Sequence, residues 1–196
     1  MAERLESLLK EIRACRACAD DLPHDPRPVL RATPRARVLV VGQAPGTRVH
    51  ESGMPFTDPS GDRLRAWMGV SDDEFYDERQ IAIVPMGFCF PGLDDKGGDK
   101  PPLKRCAALW RDRVMAGLPD VALTLVIGQY AQAWHLGKAR KKTLTATVEA
   151  WKEYGPDLIP LPHPSWRNNA WIKRHPWFDA ELVPHLQARI DALLRR

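Results

Sequence analysis

Apolar residues first recur along this chain at helical spacing, with Leu5, Leu8, Leu9 and Ile12 on one face of a helix expected over 3–14. That helix runs into Cys15-Arg-Ala-Cys18. A connector with Pro23, Pro26, Pro28 and Pro34 follows, too interrupted for regular structure. The pattern then changes period. Residues 37–42, Arg-Val-Leu-Val-Val-Gly, form a continuous β-branched run closed by glycine, the composition of a buried parallel strand. Gln43-Ala-Pro-Gly46 makes a tight loop, and Ser60-Gly-Asp62 is expected to cap a helix carrying Leu64, Trp67 and Met68. Further apolar strands are expected over 81–84, 122–127 and 158–161. Helices are expected around Ala107, Leu109, Trp110, Val114 and Leu118, over 130–136, around 144–152 and over 179–195.

Strands that alternate with helices argue for an α/β fold whose parallel sheet is covered on both faces. In such folds the site lies at the carboxyl ends of the strands. Three strands end in unusual loops, 42–46, 85–92 and 162–166, and these are expected to converge. No repeat, low-complexity tract or interdomain linker interrupts the pattern, so 1–196 is expected to form a single domain.

Composition changes this picture little. The 196 residues are 44% hydrophobic and 28% charged, as in ordinary globular proteins. A net charge of +4 permits a polyanionic partner without demanding one. No apolar run approaches the ~20 residues of a membrane span. With Arg4, Glu6, Lys10 and Glu11 among its leucines, the start of the chain is no signal peptide, and a cytoplasmic location is expected.

There thiols stay reduced, which favours metal ligation over disulfides. All four cysteines fit one pattern: Cys15-x2-Cys18, seventy residues, Cys89, sixteen residues, Cys106. A CxxC pair aims two thiolates at one point, and two more flanking a loop could close the other half. Four buried, inert cysteines are the plain alternative. Spacing alone does not separate zinc from a [4Fe–4S] cluster.

Gly42-Gln-Ala-Pro-Gly46, Ser52-Gly-Met-Pro-Phe56, Cys89, Cys106 and His163-Pro-Ser165, in that order over nearly the whole chain, resemble the uracil-DNA glycosylase superfamily. The best match is its bacterial iron–sulfur branch, family four. The resemblance implies a three-layer α/β/α sandwich with a central, mostly parallel four-stranded sheet. It further implies a structural [4Fe–4S] cluster on Cys15, Cys18, Cys89 and Cys106, rather than zinc. The implied partner is DNA carrying a damaged or deaminated base, with no nucleotide cofactor and no membrane. The implied reaction is hydrolysis of the N-glycosidic bond of a flipped nucleotide, without a lyase step.

That reaction needs negative charge or a positioned water near C1′, and donors to the base oxygen that gains charge. By resemblance His163 donates to the departing base, and Phe56 stacks on it. Gln43, Ala44 and Gly46 line the pocket with backbone amides. Two departures matter. The first motif carries no carboxylate, since the family-four acid is Gln43 here and the third position is Ala44. Family five also lacks one there and uses an aspartate just after its Pro-Phe-Thr, which nominates Asp58. Asp58 could equally be a turn or cap residue before Pro59-Ser60-Gly61. Secondly, the family asparagine that reads the uracil edge is Pro85 here, so base reading falls to backbone groups of Met86, Gly87 and Phe88 or to groups elsewhere. Uracil, hypoxanthine, xanthine and a modified pyrimidine all stay open as the base.

After His163, residues Ser165, Trp166, Arg167, Lys173 and Arg174 correspond to the part of the family that enters the minor groove and touches phosphate. Trp171 and Trp177 could be pinned to the core, and 138–142 is a second basic stretch. Residues 90–105 contain no histidine, the residue with which one iron–sulfur subfamily traps DNA, so no covalent trap is expected. A non-catalytic binder of damaged DNA and a nucleoside hydrolase are the rival functions.

Overall fold

The computed structural model describes residues 2–195. Four strands, β1 (Val38–Val41), β2 (Ile81–Ile83), β3 (Leu123–Ile127) and β4 (Leu158–Leu161), form one sheet in the order β2-β1-β3-β4. Every pairing is parallel, with Val38 opposite both Ile81 and Leu123, and Leu125 opposite Ile159. Nine α-helices are described: α1 (Ala2–Arg13), α2 (Thr47–Ser52), α3 (Pro59–Met68), α4 (Asp72–Tyr76), α5 (Lys104–Ala116), α6 (Gly128–Leu136), α7 (Leu144–Glu149), α8 (Asn169–Arg174) and α9 (Val183–Leu194).

The period-two alternation of the strands sends successive side chains to opposite faces. Val38, Val40, Ile81, Ile83, Leu123 and Leu125 pack with Trp67, Phe75, Phe178, Leu186 and Ile190 from α3, α4 and the C-terminal helices, and with Trp151 from the turn after α7. Leu39, Val41, Ala82 and Val126 pack on the other face with Leu5, Ile12, Trp110, Val114 and Ala131 from α1, α5 and α6. The three-layer sandwich is therefore present, and both core faces are apolar because both are covered.

Differences from the sequence reading have local causes. The cap of α3 is Asp58, not the Ser60–Asp62 turn: Asp58 is extended, accepts the Gly61 N–H at 3.3 Å and is followed by Pro59 in the first turn. The stretch 144–152 is α7 followed by a 3₁₀ turn at Trp151–Glu153. The closing helix starts with a π turn, Phe178–Leu182, before α9. The short helix α4, unforeseen from periodicity, is held by a capping box in which Ser71 and Glu74 satisfy each other's backbone N–H.

Candidate functional site

Because all four strands run parallel, the loops after β1, β2 and β4 emerge at one end of the sheet. There a cavity of about 250 Å³ is walled by Gly42, Gln43, Ala44, Gly46, Phe56, Asp58, Pro85, Asp99 and His163, among others. A larger groove of about 880 Å³ between α1 and α5 is different in kind. Its lining includes Leu5, Leu8, Glu11 and Arg113, and the last two form an ion pair at 2.6 Å.

His163 sits between two prolines directly after β4, and its ring is fixed by its neighbours. The Ser165 N–H donates to His163 Nδ1 at 3.2 Å, while the Asn168 side chain donates to the His163 carbonyl at 2.7 Å. With Nδ1 serving as acceptor, the neutral ring carries its proton on Nε2. Burial lowers the His163 pKa below its usual value, partly opposed by the charges of Asp58 and Asp99. The side chain is thus a neutral imidazole with an Nε2–H donor. Ser165 also accepts from Arg63 through its carbonyl at 3.1 Å, tying this loop to α3.

Phe56 is the one non-glycine residue among those described with a positive φ, +56°. Such backbone costs of order 1–3 kcal/mol and persists only where its surroundings enforce it. Here its carbonyl accepts from Arg65 at 3.1 Å and from the Tyr76 hydroxyl at 3.1 Å, and Gly61 leaves the space that the carbonyl fills. Arg65 is only 8% exposed, paired with Asp62 and with Asp72. The Phe56 ring packs edge-on against Phe75, with centroids 5.9 Å apart, and reaches within 3.7 Å of where a side chain on Gly42 would begin. A glycine there keeps ring and strand-end loop in contact.

Met86 and Gly87 correct the expectation placed on them, for neither lines this cavity. The Met86 N–H donates to Gly42 and the Gly87 N–H to Gln43, each at 2.9 Å, and the Phe88 N–H points at Cys106 Sγ at 3.3 Å. The first two amides hold the loop after β2 against the loop after β1, and the third is directed at α5. Pro85 alone of that run reaches the cavity.

The residue missed from sequence is Asp99. It lies in the charge- and glycine-rich loop between Cys89 and Cys106, which resembles solvated surface. There a bridge between Leu93 and Asp99 forms a small hairpin. Nothing in the linear order joins Asp99 to His163; only the fold does.

All four cysteines line a second cavity, with Pro26, Pro28, Gly87, Phe88, Leu103 and Trp110. They are free thiols, drawn from the turn after α1, the loop after β2 and the start of α5. Burial pushes the Cys89 thiol up to about 11 and the Cys106 thiol up to about 12. No group of three or more His, Cys, Asp or Glu side chains among the described residues is disposed to hold a single metal ion. Above this cavity, Arg111 is 1% exposed and donates to the carbonyls of Val84 and Pro85 at 3.2 and 2.9 Å and to His135 Nε2. Burial lowers its pKa to about 10.

On the rim, Trp166 is 72% exposed and the Arg167 guanidinium lies 5.9 Å from its ring centre. Lys173 and Arg174 are exposed on α8, whereas Trp171 is buried and donates to Thr145 at 2.8 Å. Trp177 packs against the same core. No helix of the described residues is long and apolar enough to cross a membrane.

A family model described as "Uracil DNA glycosylase superfamily" matches residues 31–187. That span takes in the sheet, the walls of the cavity and His163, and it leaves Cys15 and Cys18 to the N-terminal side. The chain belongs to the uracil DNA glycosylase superfamily.

Proposed function

We propose that this protein is a monofunctional DNA glycosylase that flips a deaminated or damaged base into the 250 Å³ cavity and hydrolyses its N-glycosidic bond. The observation that carries the reading is His163: a neutral imidazole held by Ser165 as an Nε2–H donor, in one cavity with the Phe56 ring. As the bond to C1′ lengthens, charge grows on the base, and a donor already aimed at that oxygen stabilises it without reorganisation. A cationic imidazolium would also hand over its proton; a neutral one contributes a hydrogen bond and leaves the base an anion. Phe56 offers a face for stacking, and its enforced backbone keeps that face in place. Asp58 uses Oδ1 to cap α3 and adds negative charge beside His163.

DNA is the polymer partner in this reading. Trp166 and Arg167 project from the loop that holds His163, where one of them fills the space vacated by the flipped base. Ser165, Lys173 and Arg174 lie next to phosphates.

The four thiols are proposed to hold an iron–sulfur cluster, the group that the resemblance to family four implies, rather than zinc. They share one cavity. Two backbone amides, from Phe88 and Arg27, point at Cys106 and Cys89, the kind of N–H···S contact that stabilises cluster thiolates. Such a cluster supplies a staple between α1, the loop after β2 and α5, and no electron to the reaction.

The test is incubation of anaerobically purified protein with single- and double-stranded oligonucleotides. Each carries one uracil, hypoxanthine, xanthine or 5-hydroxymethyluracil, and scission is scored after alkali. Alkali-dependent scission at one base, absent in His163→Ala, supports the reading. Tight binding with no scission on any base overturns it in favour of a non-catalytic damage binder.

A further inference from the structure

We propose that Asp99 is the catalytic carboxylate of this pocket, the base that takes the proton from the water attacking C1′. The inference rests on the glycosylase reading above and names a residue which that reading does not supply. The loop after β1 has no acid of its own, only Gln43 and Ala44. Asp99 brings one there from the far side: a side chain started on Gly46 would lie 3.5 Å from Asp99 Oδ2.

Its placement is built. The Asp94 N–H donates to the Gly98 carbonyl at 2.7 Å and the Lys100 N–H to the Gly92 carbonyl at 3.0 Å, closing the hairpin on which Asp99 stands. The Asp94 carboxylate accepts the Lys96 and Gly98 N–H groups, at 2.9 and 2.8 Å, and stiffens the turn. Gln43 then staples hairpin to pocket, its Nε2 donating to the Lys100 carbonyl at 3.1 Å. A glutamate at 43 has no proton to donate there and would place a second negative charge near Asp99. An amide at that position therefore suits a carboxylate carried by the other loop.

Among the acids around the cavity, Asp99 is the one left free. Asp58 caps α3, Asp62 and Asp72 pair with Arg65, and Asp94 holds its own turn. The Asp99 carboxylate makes no hydrogen bond or ion pair with the described residues. It faces His163, Arg167, Asp58 and Asp94, and burial raises its pKa above the ordinary aspartate value, which strengthens it as a base.

In the step itself, the water oxygen bonds to C1′ while the C1′–N bond breaks and its electron pair leaves with the base. The water proton passes to an Asp99 oxygen and the His163 Nε2–H bonds the anionic base. Release to solvent of the Asp99 proton, and protonation of the freed base by solvent, restore the enzyme. Products are an abasic sugar and the neutral base.

The experiment is single-turnover excision by wild type, Asp99→Asn, Asp99→Glu and Asp58→Asn, with DNA affinity and the pH profile of the rate measured on each. Asp99→Asn is expected to lose about 10²–10⁴-fold in rate without weaker DNA binding, since it removes a negative charge. Asp99→Glu should regain part of the rate, with a shifted acid limb. Asp58→Asn, which keeps a cap acceptor, should lose less than Asp99→Asn. Wild-type activity with Asp99→Asn equally active, or with Asp58→Asn the worse of the two, overturns this assignment and leaves the glycosylase reading standing. A wild type inactive on every base overturns both.

Discussion

Gly61→Ala tests whether the pocket is held open by a single missing methyl. In an exposed helix the change would stabilise by about 1 kcal/mol, because alanine is the better helix former. Here the new carbon would stand 1.8 Å from the Phe56 carbonyl oxygen, 2.6 Å from its carbon and 2.9 Å from Phe56 Cβ. Backbone on both sides must separate by roughly 1 Å or more to reach even a tight contact. Overpacking of this kind costs about 1–3 kcal/mol. The displaced carbonyl is also the acceptor for Arg65 and Tyr76, and disturbing a hydrogen bond from a charged donor costs a further ~1.5–3 kcal/mol. Set against the helical gain, the net loss is about 1.5–5 kcal/mol. In a chain of this size that lowers the melting midpoint by roughly 3–20 °C. Thermal melting followed by circular dichroism measures it directly, and single-turnover excision reads the same shift at the site. There a ~1 Å misplacement of Phe56 is worth about 10²-fold. A Gly61→Ala protein that melts at or above wild type and keeps its rate would refute the claim that Gly61 and Arg65 together enforce the Phe56 backbone.

His163→Ala is expected to lower excision by about 10²–10³-fold. Because burial lowers the His163 pKa, the ring should be neutral at neutral pH, and an NMR titration of its ring nitrogens should place protonation below the ordinary 6.5; a midpoint at or above 6.5 would contradict the neutral donor. Cys106→Ser should abolish the broad visible absorbance of an iron–sulfur protein and lower its melting midpoint, and a colourless wild type containing stoichiometric zinc would rule the cluster out. For His135, burial and then the Arg111 charge lower the folded pKa from 6.5 to about 4. The unfolded state therefore binds the proton more readily, and the stability His135 contributes is present above 6.5 and lost as pH falls toward 4. His135→Gln keeps an acceptor for Arg111 without a titrating ring, so urea denaturation across that window should show a flatter pH dependence than wild type.

Strands were the legible part of this chain, because runs such as Val38–Val41 and Leu158–Leu161 are apolar without interruption and end in glycine or proline. Convergence of the loops after β1, β2 and β4 followed from parallel topology alone, and with it the meeting of Gln43, Ala44, Phe56 and His163. Of the two readings open for Trp171 and Trp177, the core placement holds: Trp171 is buried and Trp177, partly buried, packs against the same core. What escaped was set by hydrogen bonds between distant segments. The amides of Met86 and Gly87 look free in sequence, and only the fold shows Gly42 and Gln43 taking them. Asp58 was legible both as an acid near the pocket and as a turn or cap residue, and its bond with the Gly61 N–H shows the cap. Asp99 sits in a stretch whose glycines and charges have the composition of idle surface, and its value arises from a hairpin and from one side chain, Gln43, fifty-six residues earlier.

The five-residue run from Pro85 to Cys89 faces two ways. Pro85 is a wall of the base cavity, while Gly87, Phe88 and Cys89 are walls of the cysteine cavity. Arg111 clasps the carbonyls of Val84 and Pro85 from α5, the helix that opens near Cys106. The two cavities are thus the two sides of one partition, so a substitution anywhere from Pro85 to Cys89 bears on both walls at once.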